Sequence, residues 1–360
     1  MQRSQSSGAA LRQIAVIGAG LAGITAARTL AQAGLRVQLF DKQPVVGGRM
    51  ARHDTVFGNF DHGAQYFTVR DARFAQALAT QPALARRWSA RAVPMLDSRG
   101  SLQPTTEGHE TLGALGALEP HWVGVPTMRA LPEGWAAPLA PSLHLGCHVR
   151  QLRRQGSSWQ LLWDDIQGSK RLAGFDAVVL AIPAPHAIAL LQESEQAAQI
   201  QKALQGVVMD PCWTLMVAFA HAAQPTFQAL GPQWNAARST HPRISWLARE
   251  PSKPGRGGVE RWTVHASASW SREHLQDEPA RVQAKLLRAF AELTGIRAEP
   301  ELVESQRWLY ASTRQSLGRS HVWDARLGLG LCGDWCLGHR IEDAFVSGLE
   351  LALRVVDADA

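Results

Sequence analysis

The sequence predicts an α/β protein with two domains, a parallel sheet flanked by helices and a second, mixed β-sheet with helices. Three observations lead to this fold class. An apolar run, a glycine-rich turn and an alanine-rich segment follow one another over residues 14–34. A second apolar run follows at residues 36–41. Further strand-like runs cluster between residues 209 and 312. Alternating strands and helices are typical of a parallel sheet, and clustered strands indicate another layer.

The first unit has the order strand, turn, helix and strand. Residues 14–18 are the β-branched run IAVIG, which predicts a buried parallel strand. The helix is the stretch ITAARTLAQAG, which stops at Gly34, a candidate C-terminal cap. The second strand, RVQLFD, ends at Asp41.

The turn before the helix carries the pattern GxGxxG. Gly18 allows the tight turn, Gly20 lets the backbone approach a pyrophosphate, and Gly23 lets the helix pack against the strand. Backbone N–H groups at the start of the helix, beside Ala22, would face the phosphates. Asp41 would accept hydrogen bonds from the adenosine ribose. Together these residues predict a Rossmann-like dinucleotide site.

The segment after Asp41 favours FAD over NAD. An acid at this strand end suits both cofactors and disfavours NADP. The next residues, from Lys42 onward, read KQPVVGGRM. Flavoproteins of the glutathione-reductase type carry a similar Gly-Gly-Arg, so Gly48, Arg49 and Met50 join Lys42 in the predicted FAD site. The glycines would let the chain pass close to the cofactor, and Arg49 would pair with its phosphates. The alternative is that these glycines form only a turn and that Arg49 is a surface charge.

The last part of the sequence has the strand, Gly-Asp and helix with which such flavoproteins end. The strand-like stretch is LGLGLCGDWC, and the helical stretch is RIEDAFVSGLELALRVV. By this resemblance Asp334 would bind a ribityl hydroxyl. Backbone N–H groups near Ile341 and Glu342 would face the pyrimidine end of the flavin, where a helix N-terminus stabilises negative charge.

Cys332 and Cys336 flank this Gly-Asp, which raises the alternative of a redox or metal site built on thiols. The spacing is CxxxC rather than the CxxC of a redox pair, and no further ligands gather nearby. The four cysteines also lack zinc-site spacing and are too few for a disulfide framework. We therefore expect no metal, and we expect these thiols to pack beside a cofactor.

Residues 148–168 predict a hairpin, and the run VVLAIPAP predicts a strand that turns at Pro183 and Pro185. In flavoproteins of this superfamily the strand before the hairpin touches the adenine through its backbone, and in this chain that strand contains Val149.

The predicted domains are a discontinuous FAD-binding domain at 10–75, 142–186 and 325–358, a substrate domain at 76–141 and 187–324, and a disordered tail at 1–9.

The second domain contains four predicted strands and one long predicted helix. The helix spans about 271–294 and opens at Ser271, a candidate N-cap. The strands are WTLMVAFAH, RISWLARE, RWTVHASAS and ESQRWLYAS. A sheet over the flavin would exclude water from a flat substrate ring.

Beyond these parts the chain contains six more specific stretches, DHGAQYFTVRD, MDPCWTLMVAF, WLARE, HASASWS, RWLYA and CGDWC. Through these stretches, which follow in the same order from about residue 13 onward, the chain resembles the bacterial branch of the renalase family. The resemblance implies a non-covalent FAD and a two-domain flavoprotein fold like those of p-hydroxybenzoate hydroxylase and amine oxidases. It also implies oxidation of misreduced nicotinamide dinucleotides, the 1,2- or 1,6-dihydro forms, to NAD(P)+. Flavin N5 would take the hydride, and O2 would take the electrons and give hydrogen peroxide.

The same resemblance places Gln65 and Tyr66 beside the flavin. The predicted substrate pocket holds side chains able to stack on a pyridine ring or to pair with a diphosphate. Its candidates are Trp213, Arg249, His265, Trp270 and Tyr310. The alternatives are core packing for each tryptophan, a surface ion pair for Arg249 and a satisfied strand histidine for His265. No catalytic acid or base is predicted, because a dihydropyridine becomes aromatic when it loses hydride.

Composition and charge limit the kinds of partner that the protein is expected to bind. The net charge is +6, but the basic residues are scattered, so no nucleic-acid partner is expected and a basic surface around an anionic cofactor or substrate fits better. No apolar run reaches membrane-spanning length and no targeting signal is recognisable, so we expect a cytoplasmic protein away from membranes. The expected partners are the dinucleotide substrate and O2.

Two other functions stay open. A flavin amine oxidase or desaturase-like enzyme would usually place a lysine near flavin N5 and tyrosines around the amine. This chain offers only Lys253 as an obvious candidate in its second domain and has two tyrosines. A non-catalytic FAD- or NAD-binding protein would not need so extensive a second domain.

Overall fold

The computed structural model describes residues 12–88, 93–103, 119–220 and 234–358, and the predicted tail at 1–9 lies outside these ranges. The strands are β1 (Gln13–Ile17), β2 (Arg36–Phe40), β3 (His53–Thr55), β4 (Gly58–Phe60), β5 (Ala85–Arg87), β6 (Met95–Leu96), β7 (Trp122–Gly124), β8 (Leu143–His144), β9 (His148–Gln155), β10 (Ser158–Asp165), β11 (Gly168–Phe175), β12 (Ala177–Leu180), β13 (Val208–Phe219), β14 (Ala236–Ser239), β15 (Ile244–Arg249), β16 (Glu260–Ala266), β17 (Leu302–Gln315), β18 (Val322–Asp324) and β19 (Leu329–Leu331). The helices are α1 (Leu21–Gln32), α2 (Ala72–Ala79), α3 (Ala130–Ala136), α4 (Ala184–Glu193), α5 (Ala198–Leu204), α6 (Ala268–Glu273), α7 (Pro279–Thr294) and α8 (Ile341–Asp357).

The first large sheet has six strands in the order β18-β19-β12-β1-β2-β8. β1 lies between β12 and β2 and pairs with both in parallel, and β19 pairs with β12 in parallel. β12 is buried along its whole length. A parallel strand covered on both faces must be apolar throughout, which explains the run AVVL. The predicted α/β fold with a parallel sheet is confirmed.

Helices α1 and α8 cover this sheet and pack closely against each other. A Cβ atom at Gly348 of α8 would lie 2.2 Å from the carbonyl oxygen of Ala22, so only glycine permits the approach. α1 ends where the sequence predicts, because Gly34 follows it with a φ of +89°. The strand and helix predicted near the C-terminal cysteines are β19 and α8.

The predicted hairpin is β9 and β10, and β11 adds a third antiparallel strand. The run VVLAIPAP forms β12 and then turns into α4, with Pro183 as the residue before the helix. Pro185 lies in the first turn of α4, where proline is tolerated because the N–H is unpaired in any case.

The second large sheet has the order β17-β13-β16-β15-β14-β6. Its pairs are antiparallel except β14 with β6. The four predicted strands correspond to β13, β15, β16 and β17. The apolar core under this sheet is completed by α7, whose Val282, Leu286 and Phe290 are fully buried.

The single helix predicted over 271–294 is wrong, because two helices, α6 and α7, share this region. Pro279 begins α7 and disfavours a helical conformation for the residue before it. The N-cap of α6 is Ser267, whose side chain accepts a hydrogen bond from Trp270 N. Ser271 instead is buried, and its hydroxyl accepts a hydrogen bond from Trp213 N at 3.1 Å.

No helix within the described ranges is both long and apolar enough to cross a membrane. The cytoplasmic location and the domain boundaries remain predictions.

Candidate active site

A cavity of about 2680 Å³ is lined by residues of both large sheets and of the segments between them. Ligand pockets usually measure roughly 300–1,000 Å³, so this cavity has room for more than one ligand. The first sheet contributes the turn at Gly18 and Gly20 and the strand end at Asp41. The second sheet contributes Thr214 and His265.

The glycine turn leaves the N-terminus of α1 open toward the cavity. α1 has no side-chain cap, so the N–H groups of its first turn remain available to an anion. A Cβ at Gly20 would meet no described atom within 4 Å, which leaves space there for a ligand. A Cβ at Gly23 would lie 1.8 Å from the carbonyl oxygen of Gly18, so Gly23 serves helix packing rather than the cavity lining.

Asp41 is fixed beside this turn by two backbone hydrogen bonds. Its carboxylate accepts from Ala19 N at 2.6 Å and from Gln43 N at 2.7 Å. Burial raises the pKa of Asp41, and the two backbone donors oppose that shift. Each carboxylate oxygen keeps a further lone pair, so Asp41 can still accept from a ribose hydroxyl.

Arg49 and Asp334 meet each other at the cavity wall. Arg49 donates from Nη1 to Asp334 Oδ2 at 2.9 Å and from Nη2 to Asp334 Oδ1. It also donates to the carbonyl oxygen of Ala311 at 3.2 Å. The sequence predicts that Arg49 pairs with the cofactor phosphates. In this structure its guanidinium pairs with the carboxylate of Asp334.

The N-terminus of α8 borders the cavity through Arg340, Ile341 and Ala344. Glu342 is turned away from it. Its carboxylate accepts from the backbone N–H groups of Arg70 and Asp71, each at 2.6 Å. Glu342 therefore anchors the 70–71 segment to α8, and its side chain is not part of the lining.

Cys332 and Cys336 are both free and buried. Burial raises the pKa of the Cys336 thiol to about 12 and that of Cys332 well above its usual value. Thiols with raised pKa values are poor nucleophiles and poor metal ligands. Within the described ranges, no group of three or more His, Cys, Asp or Glu side chains could hold a metal ion.

Three histidines of the cavity lining are neutral at neutral pH. Burial lowers the pKa of His62, His186 and His265 to about 4 in each case. His186 lies edge-on to Tyr310, with ring centroids 4.9 Å apart. His62 stacks on Trp308 at 5.2 Å. These rings offer hydrogen bonds rather than charge.

Tyr66 organises a second aromatic group of the lining. Its ring stacks on Trp246 with centroids 5.3 Å apart and lies 4.1 Å from that of His121. Arg238 donates from Nη2 to the Tyr66 hydroxyl at 3.1 Å. Tyr66, His121 and Arg238 all line the cavity.

A buried ionic cluster lies behind the segment that carries Tyr66. Its members are Asp61, Glu250, Lys253 and Arg256, and their side chains are fully buried. Lys253 Nζ donates to Glu250 at 3.0 Å, to Asp61 at 3.2 Å and to Gln65 Oε1 at 3.1 Å. Burial alone would raise the pKa of Glu250, but the charges of Lys253 and Arg256 hold it below its usual value. This cluster has no signal in the sequence, because Asp61 and Lys253 meet across 192 residues of chain.

The lining contains most of the predicted site residues. It includes Gly18, Gly20, Ala22, Asp41, Lys42, Gly48, Arg49, Met50, Tyr66, Val149, Asp334, Ile341, His265 and Tyr310. The residues outside the lining are Gly23, Gln65 and Glu342. The side chain of Gln65 points toward Lys253 and accepts a hydrogen bond from it.

Three of the five predicted substrate-pocket residues also lie outside the lining. The indole of Trp213 is buried in the core under the second sheet and donates to the carbonyl oxygen of His274 at 3.0 Å. Trp270 belongs to the same core. Arg249 forms a two-bond ion pair with Glu260, at 2.8 and 2.9 Å. The position of these three residues contradicts the pocket expectation and agrees with the alternatives of core packing and an ion pair.

Cationic side chains outnumber acidic ones in the lining. The cationic residues are Lys42, Arg49, Arg52, Arg70, Arg129, Arg150, Arg238, Arg307 and Arg340, and the acidic ones are Asp41, Glu119, Glu193, Asp210 and Asp334. A concave basic site attracts and concentrates anions. The uncapped α1, the open space at Gly20 and the carboxylate of Asp41 together fit the pyrophosphate and ribose of a dinucleotide cofactor.

Comparison with known proteins gives two family matches. Residues 16–81 match the NAD(P)-binding Rossmann-like domain, and residues 100–356 match the flavin containing amine oxidoreductase family. Among curated proteins, a 4,4'-diaponeurosporene oxygenase of Staphylococcus haemolyticus is 43% identical over 58 residues, which are 16% of this chain and 12% of that protein. The corresponding protein of Staphylococcus aureus strain Mu50 is 40% identical over 58 residues, with the same shares. The chain thus matches only about an eighth of the length of these relatives.

Solved structures share the whole fold. A candidate protoporphyrinogen oxidase from Exiguobacterium sp. 255-15 has a TM-score of 0.76 and 14% identity, with 97% of this chain and 99% of that chain covered. Wild-type putrescine oxidase bound to putrescine has a TM-score of 0.73 and 14% identity, with the same coverage. At this level of identity the likeness establishes the fold and nothing more.

Proposed function

The chain belongs to the flavin containing amine oxidoreductase family, with FAD as its cofactor, and we propose that it oxidises misreduced nicotinamide dinucleotides. The substrates would be the 1,2- or 1,6-dihydro forms of NAD(P), and the products NAD(P)+ and hydrogen peroxide. One hydride from the ring, one proton from water and one O2 balance one hydrogen peroxide. When bound, the flavin accepts the hydride and passes the electrons to O2.

The observation that carries this proposal is the size and basic lining of the cavity. Its volume of about 2680 Å³ is more than twice the upper end of the roughly 300–1,000 Å³ of ordinary ligand pockets. The cationic lining extends beyond the glycine turn to Arg238 and Arg307 on the second sheet. A second anionic dinucleotide is the substrate class that such a lining would attract.

The roles of individual residues follow from their positions. The N-terminus of α1 and Gly20 would hold the FAD pyrophosphate, and Asp41 its adenosine ribose. Asp334 would orient the ribityl chain, with Arg49 fixing its carboxylate. The protein would contribute alignment and exclusion of water, because hydride loss by a dihydropyridine requires no base.

Amine oxidation is less well supported, because of where Lys253 lies. Its ammonium is committed to Asp61, Glu250 and Gln65 and is fully buried. Lys253 is not among the lining residues of the described cavity. The candidate lysine of the amine oxidase alternative would therefore have to leave three partners to reach a ligand.

The test mixes the purified yellow protein anaerobically with isomeric dihydro-NAD, ordinary NADH and a panel of amines. Flavin absorbance is followed in its visible band. Rapid bleaching by the isomeric dihydronucleotide alone supports the proposal, and bleaching by amines alone contradicts it. A silent, non-catalytic flavoprotein would bleach with none of them.

Two arginine variants separate the substrate part of the cavity from the sheet behind it. Arg238→Ala should raise the KM for the dihydronucleotide several-fold, because it removes a charge from the lining. Arg249→Ala should leave KM unchanged, since Arg249 pairs with Glu260 outside the cavity. A raised KM for Arg249→Ala alone would place the substrate elsewhere.

A further inference from the structure

All thirteen tryptophans lie within the described ranges, and two of them, Trp308 and Trp335, line the cavity. Trp335 is 1% exposed, and its indole N–H donates to the carbonyl oxygen of Ile182 at 3.0 Å. Its ring therefore offers a ligand almost no surface. Trp308 is only partly buried. It is thus the tryptophan whose ring a ligand in the cavity can touch.

The strand register directs the side chain of Trp308 toward the cavity. Trp308 of β17 stands directly opposite Cys212 of β13. One pair further along the same two strands, Gln306 stands opposite Thr214. Paired residues of neighbouring strands share a face of the sheet, and these four all line the cavity. Trp213, between Cys212 and Thr214, belongs instead to the apolar core on the other face.

The indole of Trp308 is held in place by the protein itself. One face of its ring stacks on His62, with ring centroids 5.2 Å apart and ring planes 22° apart. Its Nε1 donates to the carbonyl oxygen of His62 at 3.0 Å. Among the described residues, no other aromatic ring or cation packs on Trp308. A fixed, part-exposed indole in a cavity wall can stack on a flat ligand at little cost in side-chain entropy.

The surroundings of Trp308 indicate which part of a ligand it would meet. Three residues further along β17, the carbonyl oxygen of Ala311 accepts a hydrogen bond from Arg49. Arg49 also pairs with Asp334, which would orient the ribityl chain of FAD. A Cβ at Gly63 would lie 2.0 Å from the carbonyl oxygen of Arg49 and 3.4 Å from the ring of Trp308. Trp308 therefore lies near the flavin end of the cofactor site, which is the end that the hydride-donating ring of a substrate must reach.

We propose that the indole of Trp308 binds the pyridine ring of the dinucleotide substrate by stacking. This inference rests on the proposed function, since it assigns a subsite to that substrate. The face of an indole carries negative partial charge, so Trp308 would also hold the cationic pyridinium ring of the product. Trp308 would take the role that the sequence predicts for Trp213 and Trp270.

The test measures binding to the oxidised holoprotein by isothermal titration calorimetry. One probe is nicotinamide mononucleotide, which carries the pyridine ring without adenine. The other is ADP-ribose, which carries adenine without the pyridine ring. Trp308→Leu should raise the Kd of nicotinamide mononucleotide about fivefold, as expected for the loss of an aromatic pair. The same variant should leave the Kd of ADP-ribose nearly unchanged.

Two further variants separate stacking from a structural role of the indole. Trp308→Phe keeps an aromatic face and loses the N–H that bonds to His62, so the Kd of nicotinamide mononucleotide should stay within about twofold of the wild-type value. The matched control is Trp234→Leu, which should change neither Kd. Trp234 is also partly buried and lies edge-on to Trp262 with ring centroids 5.5 Å apart, but it is outside the lining.

Several binding results would overturn the inference. Trp308→Phe and Trp308→Leu could weaken nicotinamide mononucleotide equally, which would assign the effect to the lost hydrogen bond. Trp308→Leu could weaken ADP-ribose alone, which would assign the indole to adenine. It could also lose FAD, measured by visible absorbance, which would mean that the indole serves the cofactor. A wild-type protein that binds no nicotinamide mononucleotide would contradict the inference as well.

The inference and the proposed function can fail separately. If the wild-type protein is not bleached by isomeric dihydro-NAD, the proposed function fails and the stacking site fails with it. If it is bleached and Trp308→Leu keeps the wild-type Kd of nicotinamide mononucleotide, only the stacking site fails.

Discussion

At the scale of single residues, burial decides the protonation state of the cavity side chains. The same desolvation that lowers the pKa of His62 and His265 to about 4 raises the pKa of Cys336 to about 12. Both effects favour the neutral form, since a charge loses hydration when it is buried. Opposite charges in the lining can stabilise each other instead, as Arg49 and Asp334 do.

The buried histidines should make stability depend on pH between about 4 and 6.5. In this window the unfolded chain binds protons that the folded chain does not, so the free energy of unfolding rises with pH and levels off above it. The pKa of His265 falls from 6.5 to about 4, and a shift of this size is worth up to about 3 kcal/mol. Urea unfolding of the holoprotein at several pH values measures this slope.

The control for the pH effect is His265→Leu. In this variant the free energy of unfolding should rise less steeply with pH, and the rise that remains should begin at the same pH. An equal slope in wild type and variant would show that His265 is not a neutral group in the folded protein.

The CGDWC stretch predicts a contrast between its carboxylate and its thiols. Asp334→Ala should weaken FAD binding by tenfold or more, because it removes hydrogen bonds to a charged group, worth about 1.5–3 kcal/mol. Cys332→Ala combined with Cys336→Ala should retain FAD, since both thiols are buried and protonated. Flavin release measured by fluorescence distinguishes the two variants. Loss of FAD from the cysteine variant, with retention in Asp334→Ala, would restore the thiols as the working groups.

At the scale of elements, sequence patterns predict the helices and strands whose signals lie within one segment, and they miss contacts between segments far apart in the chain. β1, α1, β2, β19 and α8 could be predicted because period, glycine and capping signals lie within each segment. The break between α6 and α7 was missed although Pro279 marks it, because apolar residues at helical spacing continue across it. The cluster of Asp61, Glu250, Lys253 and Arg256 joins two distant segments, the one after β4 and the one between β15 and β16, and no local sequence signal predicts their contact.

This buried ionic cluster should be the most sensitive polar feature of the fold. Lys253→Met leaves Asp61 and Glu250 buried with one cation fewer, and breaking a buried pair costs about 3–5 kcal/mol. The matched control is Lys285→Met, whose partner Asp277 lies in a part-exposed pair, so at most about 1 kcal/mol should be lost. Denaturation midpoints of the two holoproteins give the comparison. Similar small losses for both would mean that the cluster adds no more than a surface pair does.

At the scale of the whole molecule, the site lies where two sheets meet, and neither sheet contains all of it. The cofactor side could be predicted from sequence, since the GxGxxG turn and Asp41 belong to one strand–helix–strand unit. The substrate side could not, because strand register decides which residues face inward. Trp213 and Thr214 are neighbours in β13, yet one lies in the core and the other in the cavity wall. Neighbouring residues of a strand face opposite sides of the sheet, and no local signal marks Thr214 rather than Trp213 as the residue that faces the cavity.

The basic cavity predicts a salt effect on an anionic substrate. Raising ionic strength from about 0.02 to 0.5 M shortens the screening length severalfold and should raise the KM for the dihydronucleotide. The kcat should change little, because it is measured with the site saturated and salt screening acts on the approach of the substrate. Steady-state kinetics at fixed pH measure both constants, and uncharged 1,2-dihydronicotinamide riboside is the control. A KM independent of salt for the dinucleotide would show that the arginines do not guide it.

The position of β19 beside β12 has a consequence for biosynthesis. A ribosome makes β1, α1 and β2 long before it makes β19, Asp334 and the helix that begins at Ile341. Tight contact of Gly348 with Ala22 must then form across more than three hundred residues of sequence. Loops of that length close slowly, so cofactor loading belongs after the synthesis of α8. A nascent chain halted before residue 329 would display the glycine turn but should not hold flavin.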